Sequence, residues 1–353
     1  MSKICILGLA NIRHISLISL YTEYLDAHGI PYDLIYIDRY GTEEKTTAAH
    51  QYAFRAQPAK SRLQKLGSFL RFRRYALGLI RKNKYEKIIT WQTNGAYLFA
   101  DVLLRRFKGR YVVNVRDYIM EEMPLIRPLI RRLVKHAAFT AISSAGFKVF
   151  LPEGEYVQVN SVNEQLLTDA PRRDAAPQVP YKIGFVGNCR FFRENFRLID
   201  ALANDDRFEL WYCGTSSEVL AQYAEEKGIR NVFTQPGFRR EETTEIMSRF
   251  DLINSAFGSD AMDNRTLMPI RLYTALEMHI PVLVSGGSFL AEQVEAHRLG
   301  FVLDGEANLG DRLAAYLEAQ DPAQLRADCD RYMETARAEN EHFYDTLGKF
   351  VGV

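Results

Sequence analysis

The sequence has few cysteines, and their spacing excludes a disulfide framework. It contains four of them in 353 residues, and no two form the CxxC pair that metal-binding and redox motifs use. They lie far apart along the chain, at Cys5, Cys189, Cys213 and Cys329. We interpret them as reduced thiols of a cytoplasmic protein.

Side chains arranged as metal ligands are also scarce. Asp328-Cys329-Asp330 has the Asp-x-Asp form, but it lies in a predicted helix, where its two carboxylates would not share a face. No cluster of histidines and cysteines has the spacing of a metal site. We therefore predict neither a bound metal nor a cofactor.

Long apolar runs are absent as well. No segment approaches the roughly 18 apolar residues that a membrane-spanning helix needs. The first residues, MSKICILGLANIR, hold only about six apolar residues before polar ones return, and we interpret them as a first strand rather than a signal peptide.

The chain has almost no net charge, +1 at pH 7, but its charges are distributed unevenly. Residues 1–168 hold 25 of the 45 Lys and Arg residues and only 14 of the 44 Asp and Glu residues. Basic residues concentrate in Lys60–Lys87, Arg105–Arg110 and the apolar-basic segment Pro124–His136. An amphipathic basic helix can lie on an anionic membrane, bind nucleic acid, or simply cover a core with a solvated face.

The membrane interpretation is favoured here. The second half is acidic, and no known nucleic-acid-reading motif is present, so we predict no nucleic-acid partner. We expect a cytoplasmic protein that binds peripherally, through its basic N-terminal part, to the anionic inner face of the cell membrane.

Strands and helices alternate through the first half and predict a doubly wound parallel sheet. We expect helices over Arg13–His28, Tyr97–Phe107 and Pro124–His136, and a turn at Thr93–Gly95. The predicted strands are Lys3–Gly8, Tyr32–Ile37, Lys87–Trp91, Arg110–Val115, Ala138–Ile142 and Tyr156–Val159.

The pattern stops in a proline-containing segment and then starts again. This predicts an N-terminal Rossmann-like domain over 1–165, a linker over 166–180 and a C-terminal Rossmann-like domain over 181–335. A last helix, 336–353, is expected to pack back on the N-terminal domain. The fold class is therefore α/β, with two tandem Rossmann-like domains facing each other across a cleft.

One stretch of the second half, MPIRLYTALEMHIPVLVSGG (Met268–Gly287), combines several signals of a ligand site. It predicts a helix that Pro281 ends, a short buried strand, and a loop of small residues, Ser285, Gly286 and Gly287. Loops at the carboxyl ends of parallel strands bind ligands, and free amide groups there suit phosphate oxygens. Arg271 at the helix start adds a cation.

This stretch and two others resemble the GT-B glycosyltransferases, most closely the family-4-like enzymes of bacterial polysaccharide and capsule assembly. In IGFVGNCRFFRENFRLIDAL (Ile183–Leu202), Arg193 takes the place of the family's lysine that contacts the donor diphosphate. Asn188 takes the place of its arginine, a departure that Arg190 could compensate. In Asn231–Phe257, Gly237-Phe238 matches the loop that holds the nucleotide base.

The third stretch matches the family variant with Pro-x-Lys before a helix that ends in Gly-x-Pro-Val. Arg271 takes the lysine place and His279 the glycine place. The two family glutamates fall on Thr266 and Thr274. Thr274 is expected to hydrogen-bond a hydroxyl of the donor, whereas Glu277, one turn further, would face elsewhere.

The resemblance implies transfer of a sugar from a nucleotide diphosphate sugar, with UDP as the expected nucleotide, with retention of configuration and without a metal. Arg193, Arg271 and the amides of residues 285–287 would stabilise the leaving diphosphate. Gly258–Asp260 and Asp263 are further candidates for contact with the donor sugar.

The acceptor, expected to be a glycan or lipid-linked glycan, would meet the first domain. Candidate contacts are Asn11, Arg13 and His14 after the first strand, and Arg116 after the fourth. Asp117 matches roughly the place where the family keeps a His-Asp pair facing the acceptor. Simpler interpretations remain: Asp117 as a helix N-cap, His14 as a surface histidine, and Arg190 and Arg193 as a solvated helix start.

A second functional hypothesis also remains. The loss of both family glutamates fits a catalytically silent relative that serves as a binding or scaffold subunit of a polysaccharide assembly complex.

Overall fold

The computed structural model of the protein describes residues 3–15, 17–41, 44–57 and 61–353, without the side chain of Arg62. Lys60, the first residue of the predicted basic stretch, lies outside these residues. The chain divides into two compact units, residues 1–159 with 339–353, and residues 160–338. None of the helices described is both long enough and apolar enough to span a membrane.

The first unit is built on a parallel sheet of seven described strands. They are β1 (Ile4–Gly8), β2 (Tyr32–Asp38), β3 (His50–Arg55), β4 (Lys87–Trp91), β5 (Tyr111–Val115), β6 (Phe139–Ile142) and β7 (Val157–Gln158). Its helices are α1 (Ser19–Ala27), α2 (Arg62–Asn83), α3 (Thr93–Leu98), α4 (Ala100–Arg106) and α5 (Arg127–His136). The strand order is β3-β2-β1-β4-β5-β6-β7, with every pair parallel.

The second unit repeats this plan with a parallel sheet of six strands. They are β8 (Tyr181–Val186), β9 (Phe208–Cys213), β10 (Val232–Gln235), β11 (Leu252–Ser255), β12 (Val282–Ser285) and β13 (Gly300–Leu303). The helices are α6 (Glu164–Leu167), α7 (Phe192–Ala201), α8 (Ser217–Glu226), α9 (Thr243–Met247), α10 (Met262–Thr266), α11 (Ile270–Glu277), α12 (Phe289–His297), α13 (Leu309–Glu318) and α14 (Pro322–Val351). The strand order is β10-β9-β8-β11-β12-β13.

The central strands of both sheets are short apolar runs that are buried along their whole length. Every residue of β1, β5, β11 and β12 is buried. A parallel sheet covered by helices on both faces requires such strands. The predicted α/β class with two Rossmann-like sheets is confirmed.

The long helix α14 belongs to both units. Its residues up to 338 belong to the second unit, and those from 339 onward belong to the first. Phe343 and Leu347 lie in the same buried cluster as Tyr21 and Trp91.

The segment predicted as a linker, 166–180, makes specific contacts within the second unit. The Arg173 amide donates to the carbonyl of Met278 at 2.9 Å, and its guanidinium donates to the carbonyl of Phe250 at 2.7 Å and pairs with Asp251. These contacts fix the segment to the unit that follows it.

Two local predictions for the first unit are wrong, and one of its strands was not predicted. The helix expected from Arg13 begins only at Ser19, because Ile12–His14 forms a 3-10 turn and Leu17 adopts a left-handed φ of 58°. The turn expected at Thr93–Gly95 is the first turn of α3. The edge strand β3 was not predicted, because its residues are mostly polar and exposed and form no apolar run.

Candidate functional site

The second sheet has a switch point between β8 and β11. From β8 the strand order continues to β9 and β10 on one side, and from β11 to β12 and β13 on the other. In open α/β sheets, ligands bind at the carboxyl ends of the strands at such a point. The loops at these ends are residues 187–191 and 256–261.

Arg271, in the first turn of α11, joins the ends of these two strands. Its Nε donates to the carbonyl of Val186 and its Nη1 to that of Asn254, both at 2.8 Å. Its guanidinium carbon lies 3.8 Å from the ring centroid of Phe185 and 5.5 Å from that of Phe257. Burial, the largest influence, lowers the pKa of Arg271 to about 9, so the group is cationic at neutral pH.

The remaining nitrogen of this guanidinium lies beneath the loop that follows β8. A Cβ on Gly187, whose φ is 127°, would lie 3.2 Å from Arg271 Nη2. No described residue accepts a hydrogen bond from Nη2. Glycine at 187 therefore lets this loop pass closely over the arginine. A Cβ on Gly214 would lie 1.9 Å from the Gly187 carbonyl oxygen, so glycine at 214 lets the loop after β9 approach the loop after β8.

Two exposed arginines lie around the start of α7. Arg193 Nη1 lies 2.5 Å from Asp260 Oδ2, and both side chains are mostly exposed. Arg190 is exposed and stacks on Phe191 at 5.0 Å, and Asn188 beside it is also exposed. The N-cap residue of α7, Phe191, makes no side-chain capping bond, and the first-turn amides of a helix have no partner within the helix. An anion bound at this helix start would be stabilised by its dipole and by both arginines, but it would have to displace Asp260 from Arg193.

The loop of small residues after β12 is arranged differently from the prediction. The Gly286 amide donates to the carbonyl of Leu303 at 2.9 Å, so it is not free for a phosphate. Ser285 Oγ accepts from the Gly258 amide at 2.9 Å, and Ser288 caps α12. Gly287 adopts a left-handed φ of 72° beside Ser259.

A recess of about 160 Å³ lies at the carboxyl ends of β11, β12 and β13. Its polar lining consists of Glu194, Arg197, Ser259, Asp260, Ser285 and Glu306. Arg197 lies 3.5 Å from Glu194 and 3.4 Å from Glu306, so the recess combines carboxylates with one cation.

The two threonines that replace the family glutamates are buried. Each is 2% exposed. Thr266 Oγ1 donates to the carbonyl of Met262 at 2.7 Å, and Thr274 Oγ1 to that of Ile270 at 3.2 Å. Glu277 lies elsewhere on the helix, where it pairs with Arg172 and Arg337.

Gly237 and Phe238 follow β10. Gly237 is exposed, with a left-handed φ of 68°, and Phe238 is half-buried against the core of the unit.

His279, at the family's glycine place, keeps a left-handed φ of 55°, and its Nε2 lies 3.0 Å from Asp330 Oδ1. Asp328, the other carboxylate of the Asp-x-Asp sequence, is buried and pairs with Arg298. In the described part of the chain, no group of three acidic, histidine or cysteine side chains could hold a metal ion.

In the first unit, the candidates after β1 form one cluster with the loop after β2. Asn11 is buried and donates to Asp38 at 2.9 Å, while accepting from the Arg39 amide. Arg13 is half-exposed and lies over the Tyr40 ring at 4.6 Å, and the His14 ring lies 5.3 Å from it.

The candidates after β5 separate into a buried and an accessible residue. Arg116 is only 7% exposed and lies 5.4 Å from the Trp91 ring. Asp117 Oδ2 accepts from Gln92 Nε2 at 3.1 Å in an exposed position. No described helix begins next to Asp117, since α5 starts at Arg127, so the N-cap interpretation of Asp117 is wrong.

No protein-family model matches the sequence, and no curated protein matches it. Solved structures match it over nearly its whole length. The sucrose-phosphate synthase of Thermosynechococcus elongatus is 14% identical, covers 99% of this chain and 98% of its own, and has a TM-score of 0.73. HepE of Anabaena, determined with UDP, is 14% identical at coverages of 99% and 100% and a TM-score of 0.66. WaaG, a glycosyltransferase involved in lipopolysaccharide biosynthesis, is 13% identical at coverages of 98% and 99% and a TM-score of 0.59.

The chain has the GT-B fold. The fold expected from the sequence resemblance is thereby confirmed, while the family-4-like subtype stays a prediction. At these identities, the similarity establishes the fold alone.

Within this GT-B fold, the candidates Arg190, Arg193 and Arg271 lie at one edge of the second sheet, and their role as a donor site stays a prediction. The sequence did not reveal that Asp260 pairs with Arg193, a contact between residues 67 positions apart. It also missed Glu121, a fully buried carboxylate next to the loop of Asp117. One of two adjacent glutamates in the sequence MEEM gives no signal of burial.

Proposed function

We propose that the protein is a glycosyltransferase that takes its sugar from a nucleoside diphosphate sugar, with UDP as the nucleotide. The observation that carries the proposal is the half-buried Arg271 guanidinium at the switch point of the second sheet, with one nitrogen left for a ligand. Support also comes from HepE, a neighbour in fold, whose structures contain UDP and UDP-glucose.

The diphosphate would bind where the loop after β8 meets the start of α7. Arg271 would donate from below the loop, and Arg193 and Arg190 from the solvent side. Negative charge grows on the diphosphate as the sugar leaves, and fixed cations in a partly dry site stabilise that charge. These arginines would take the part that a metal ion plays in other transferases, so the transfer is proposed to be metal-independent and, from the resemblance, retaining.

Gly237 and Phe238 would hold the base. Thr274, which is buried and bonded within its own helix, would not reach the donor. The sugar would lie toward Ser259 and Asp260, at the mouth of the recess that carboxylates line. Carboxylates are strong acceptors for sugar hydroxyls.

The acceptor would bind to the first unit. Asp117 is proposed to contact the acceptor hydroxyl, with Asn11, Arg13, His14 and Arg116 shaping the surface around it. We propose a lipid-linked glycan of cell-surface polysaccharide or capsule biosynthesis, met at the cytoplasmic face of the membrane.

The surface of the first unit supports this membrane location. Leu63, Leu66 and Leu70 of α2 are exposed by 81%, 54% and 55%, and they lie at helical spacing on one side of the helix. A groove between α2, α4 and α5 has leucines in its lining and the basic residues Arg73, Arg105, Lys108 and Arg132. Apolar and basic side chains together suit an anionic lipid surface.

The test is a thermal-shift screen with UDP-, GDP-, ADP- and CMP-sugars, because a ligand of the native state raises the unfolding temperature. We expect UDP-sugars to raise it, and Arg271→Lys to abolish the rise, since lysine keeps the charge but not the planar fork. Arg230→Lys, an exposed arginine on the surface of the same unit, is the matched control. The absence of any shift with all four classes would contradict the proposal.

A second candidate is a catalytically silent binding subunit. Thr266 and Thr274 favour it, because both hydroxyls bond within their own helices where the family has glutamates. This second hypothesis predicts that the protein binds a nucleotide sugar but releases no free nucleotide from it, whichever glycan acceptor is added.

A further inference from the structure

We propose that Glu121 is a positioning residue for residues 116–120, the acceptor loop, and that it acts through Asp117. The inference rests on the proposed function, because it takes Asp117 as the side chain that meets the acceptor.

Glu121 is 0% exposed, and its carboxylate accepts four hydrogen bonds. Oε1 accepts from Thr93 Oγ1 at 2.5 Å and from the Tyr97 hydroxyl at 3.1 Å. Oε2 accepts from the amides of Ile119 at 2.7 Å and Met120 at 2.9 Å. All four donors are uncharged, and a buried carboxylate is stable without a cation only when its oxygens are satisfied in this way.

These four bonds join two neighbouring segments. Thr93 and Tyr97 belong to α3, which follows β4, whereas Ile119 and Met120 belong to the acceptor loop, which follows the adjacent strand β5. The bond from Gln92 to Asp117 is a second link between the same segments. Asp117 is therefore held on one side by Gln92 and on the other by the loop amides that bond to Glu121, so its position depends on the Glu121 carboxylate.

The Tyr97 hydroxyl of α3 is kept protonated, as a donor to Glu121 must be. Burial, followed by the charge of Glu121, raises the pKa of Tyr97 far above its usual value. Its hydroxyl stays protonated and continues to donate to Glu121.

Glutamine is the sharpest substitution, because it keeps the shape of glutamate. Its NH₂ group replaces one acceptor oxygen and faces either the two hydroxyls, which must then turn to accept, or the two amides, which then lose their acceptor. The negative charge is lost in both cases, so the bonds from the amides of Ile119 and Met120 are weakened or broken. Glu122 is the matched control: it is the next residue, carries the same charge and is exposed. The first measurement is amide hydrogen exchange of residues 117–120 in wild type, Glu121→Gln and Glu122→Gln. We expect faster exchange in Glu121→Gln alone, and unchanged exchange there would overturn the proposal whether or not the protein transfers sugar.

The second measurement separates positioning from general stability. Transfer from UDP-glucose to an octyl glycoside is compared with hydrolysis of UDP-glucose without acceptor. We expect Glu121→Gln to lower kcat/KM for the acceptor roughly tenfold, the loss of one charge-assisted bond, with hydrolysis and UDP affinity unchanged. Equal loss of transfer and hydrolysis would show a merely structural role and overturn the proposal.

A double-mutant cycle tests whether Glu121 acts through Asp117. Once Asp117→Asn has removed the acceptor contact, adding Glu121→Gln should cause no further loss of transfer. Additive losses would overturn this coupling. An inactive wild type would count against the proposed function instead, while the exchange measurement would still decide whether Glu121 holds the loop.

Discussion

Arg193 and Arg271 both face the switch point, but they differ in how ready each is for a ligand. Arg271 is fixed by two carbonyls and two aromatic rings. Arg193 is exposed and already paired with Asp260. A diphosphate that binds at the start of α7 must therefore compete with a carboxylate of the protein itself.

This competition gives opposite expectations for the two partners. Arg193→Ala should weaken UDP binding by about 1.5–3 kcal/mol, the value of a charge-assisted hydrogen bond. Asp260→Asn should strengthen it by up to about 1 kcal/mol, since an exposed ion pair no longer has to be broken. Isothermal titration with UDP measures both.

Asp311→Asn is the matched control, because Asp311 is equally exposed and pairs with Arg207 elsewhere on the unit. It should leave UDP affinity unchanged. Weaker UDP binding by Asp260→Asn would mean that Asp260 contacts the ligand rather than competing with it.

The sequence could locate the residues of this site but not their partners. It identified His279 at a family glycine place, yet only the structure shows a left-handed histidine whose ring meets Asp330. It also could not show that the Gly286 amide completes the strand ladder to Leu303, because a hydrogen bond between distant residues has no local sequence signal.

At the scale of elements, α5 and α2 differ in where their apolar residues lie, although the sequence predicted the same membrane-facing role for both. The apolar residues of α5 looked like a membrane-facing stripe, but Ile130 and Leu133 are fully buried in the unit. Helical periodicity shows that a stripe exists and not whether it meets a core or a membrane. On α2, in contrast, the leucines lie exposed.

We expect two variants to affect vesicle binding in different ways. Replacement of Leu63, Leu66 and Leu70 by Gln leaves the charge unchanged and should reduce binding to phosphatidylglycerol vesicles tenfold or more, since buried leucines supply about 1.5–3 kcal/mol each. Neutralising Arg127, Arg131, Arg132 and Lys135 should remove the salt dependence, at about 1 kcal/mol for each charge near the surface.

Co-sedimentation at low salt and at half-molar salt measures both effects, and each variant is the control for the other. If both variants bind as wild type does, neither surface docks on the membrane, and the acceptor is met in solution.

Helix α14 is held to α12 by a buried carboxylate. Asp328 accepts from Arg298 at 2.9 and 2.7 Å and from Arg331 at 3.0 Å. The pairing with Arg298, the largest influence, lowers the pKa of Asp328. Its contribution to stability is therefore complete above the unfolded pKa of about 3.9 and is lost as pH falls through the lower folded value.

Asp328→Asn should lower the free energy of unfolding of the second unit by about 2–3 kcal/mol at pH 7. The difference from wild type should shrink as the pH falls below about 4. Thermal unfolding across this range measures it, with exposed Glu334→Gln as the control. A difference that grows in acid would show that the ion pair is not the source of the stability.

The edge strand β3 and the late start of α1 show where element prediction fails. The central strands were found because burial on both faces demands apolar residues, whereas β3 is exposed and polar. The delayed start of α1 depends on one left-handed residue, Leu17, whose type does not reveal its conformation.

At the scale of the whole molecule, the alternation of strands and helices was enough to predict two parallel sheets and, with the three motif stretches, the GT-B fold. The identity of the substrates does not follow from that alternation. They depend on a few side chains at strand ends, which differ among proteins that share the fold.

The proposed chemistry makes a prediction for the whole enzyme. Because arginines and a helix start supply the positive charge, transfer should proceed at the same rate in excess EDTA as with added Mg²⁺. Release of UDP from the active donor is the measurement. A strict requirement for Mg²⁺ or Mn²⁺ would contradict the proposed mechanism.

The first unit consists of two separate parts of the chain, and the order in which they are synthesised affects how the unit folds. Residues 339–353 belong to that unit but are made after the whole of the second. Phe343 and Leu347, both fully buried beside Tyr21, leave a gap in its core until they emerge from the ribosome. The second unit, continuous over 160–338, can close its core earlier. The first unit can therefore close its core only after the second has been synthesised, and until then it exposes apolar surface that a chaperone would cover.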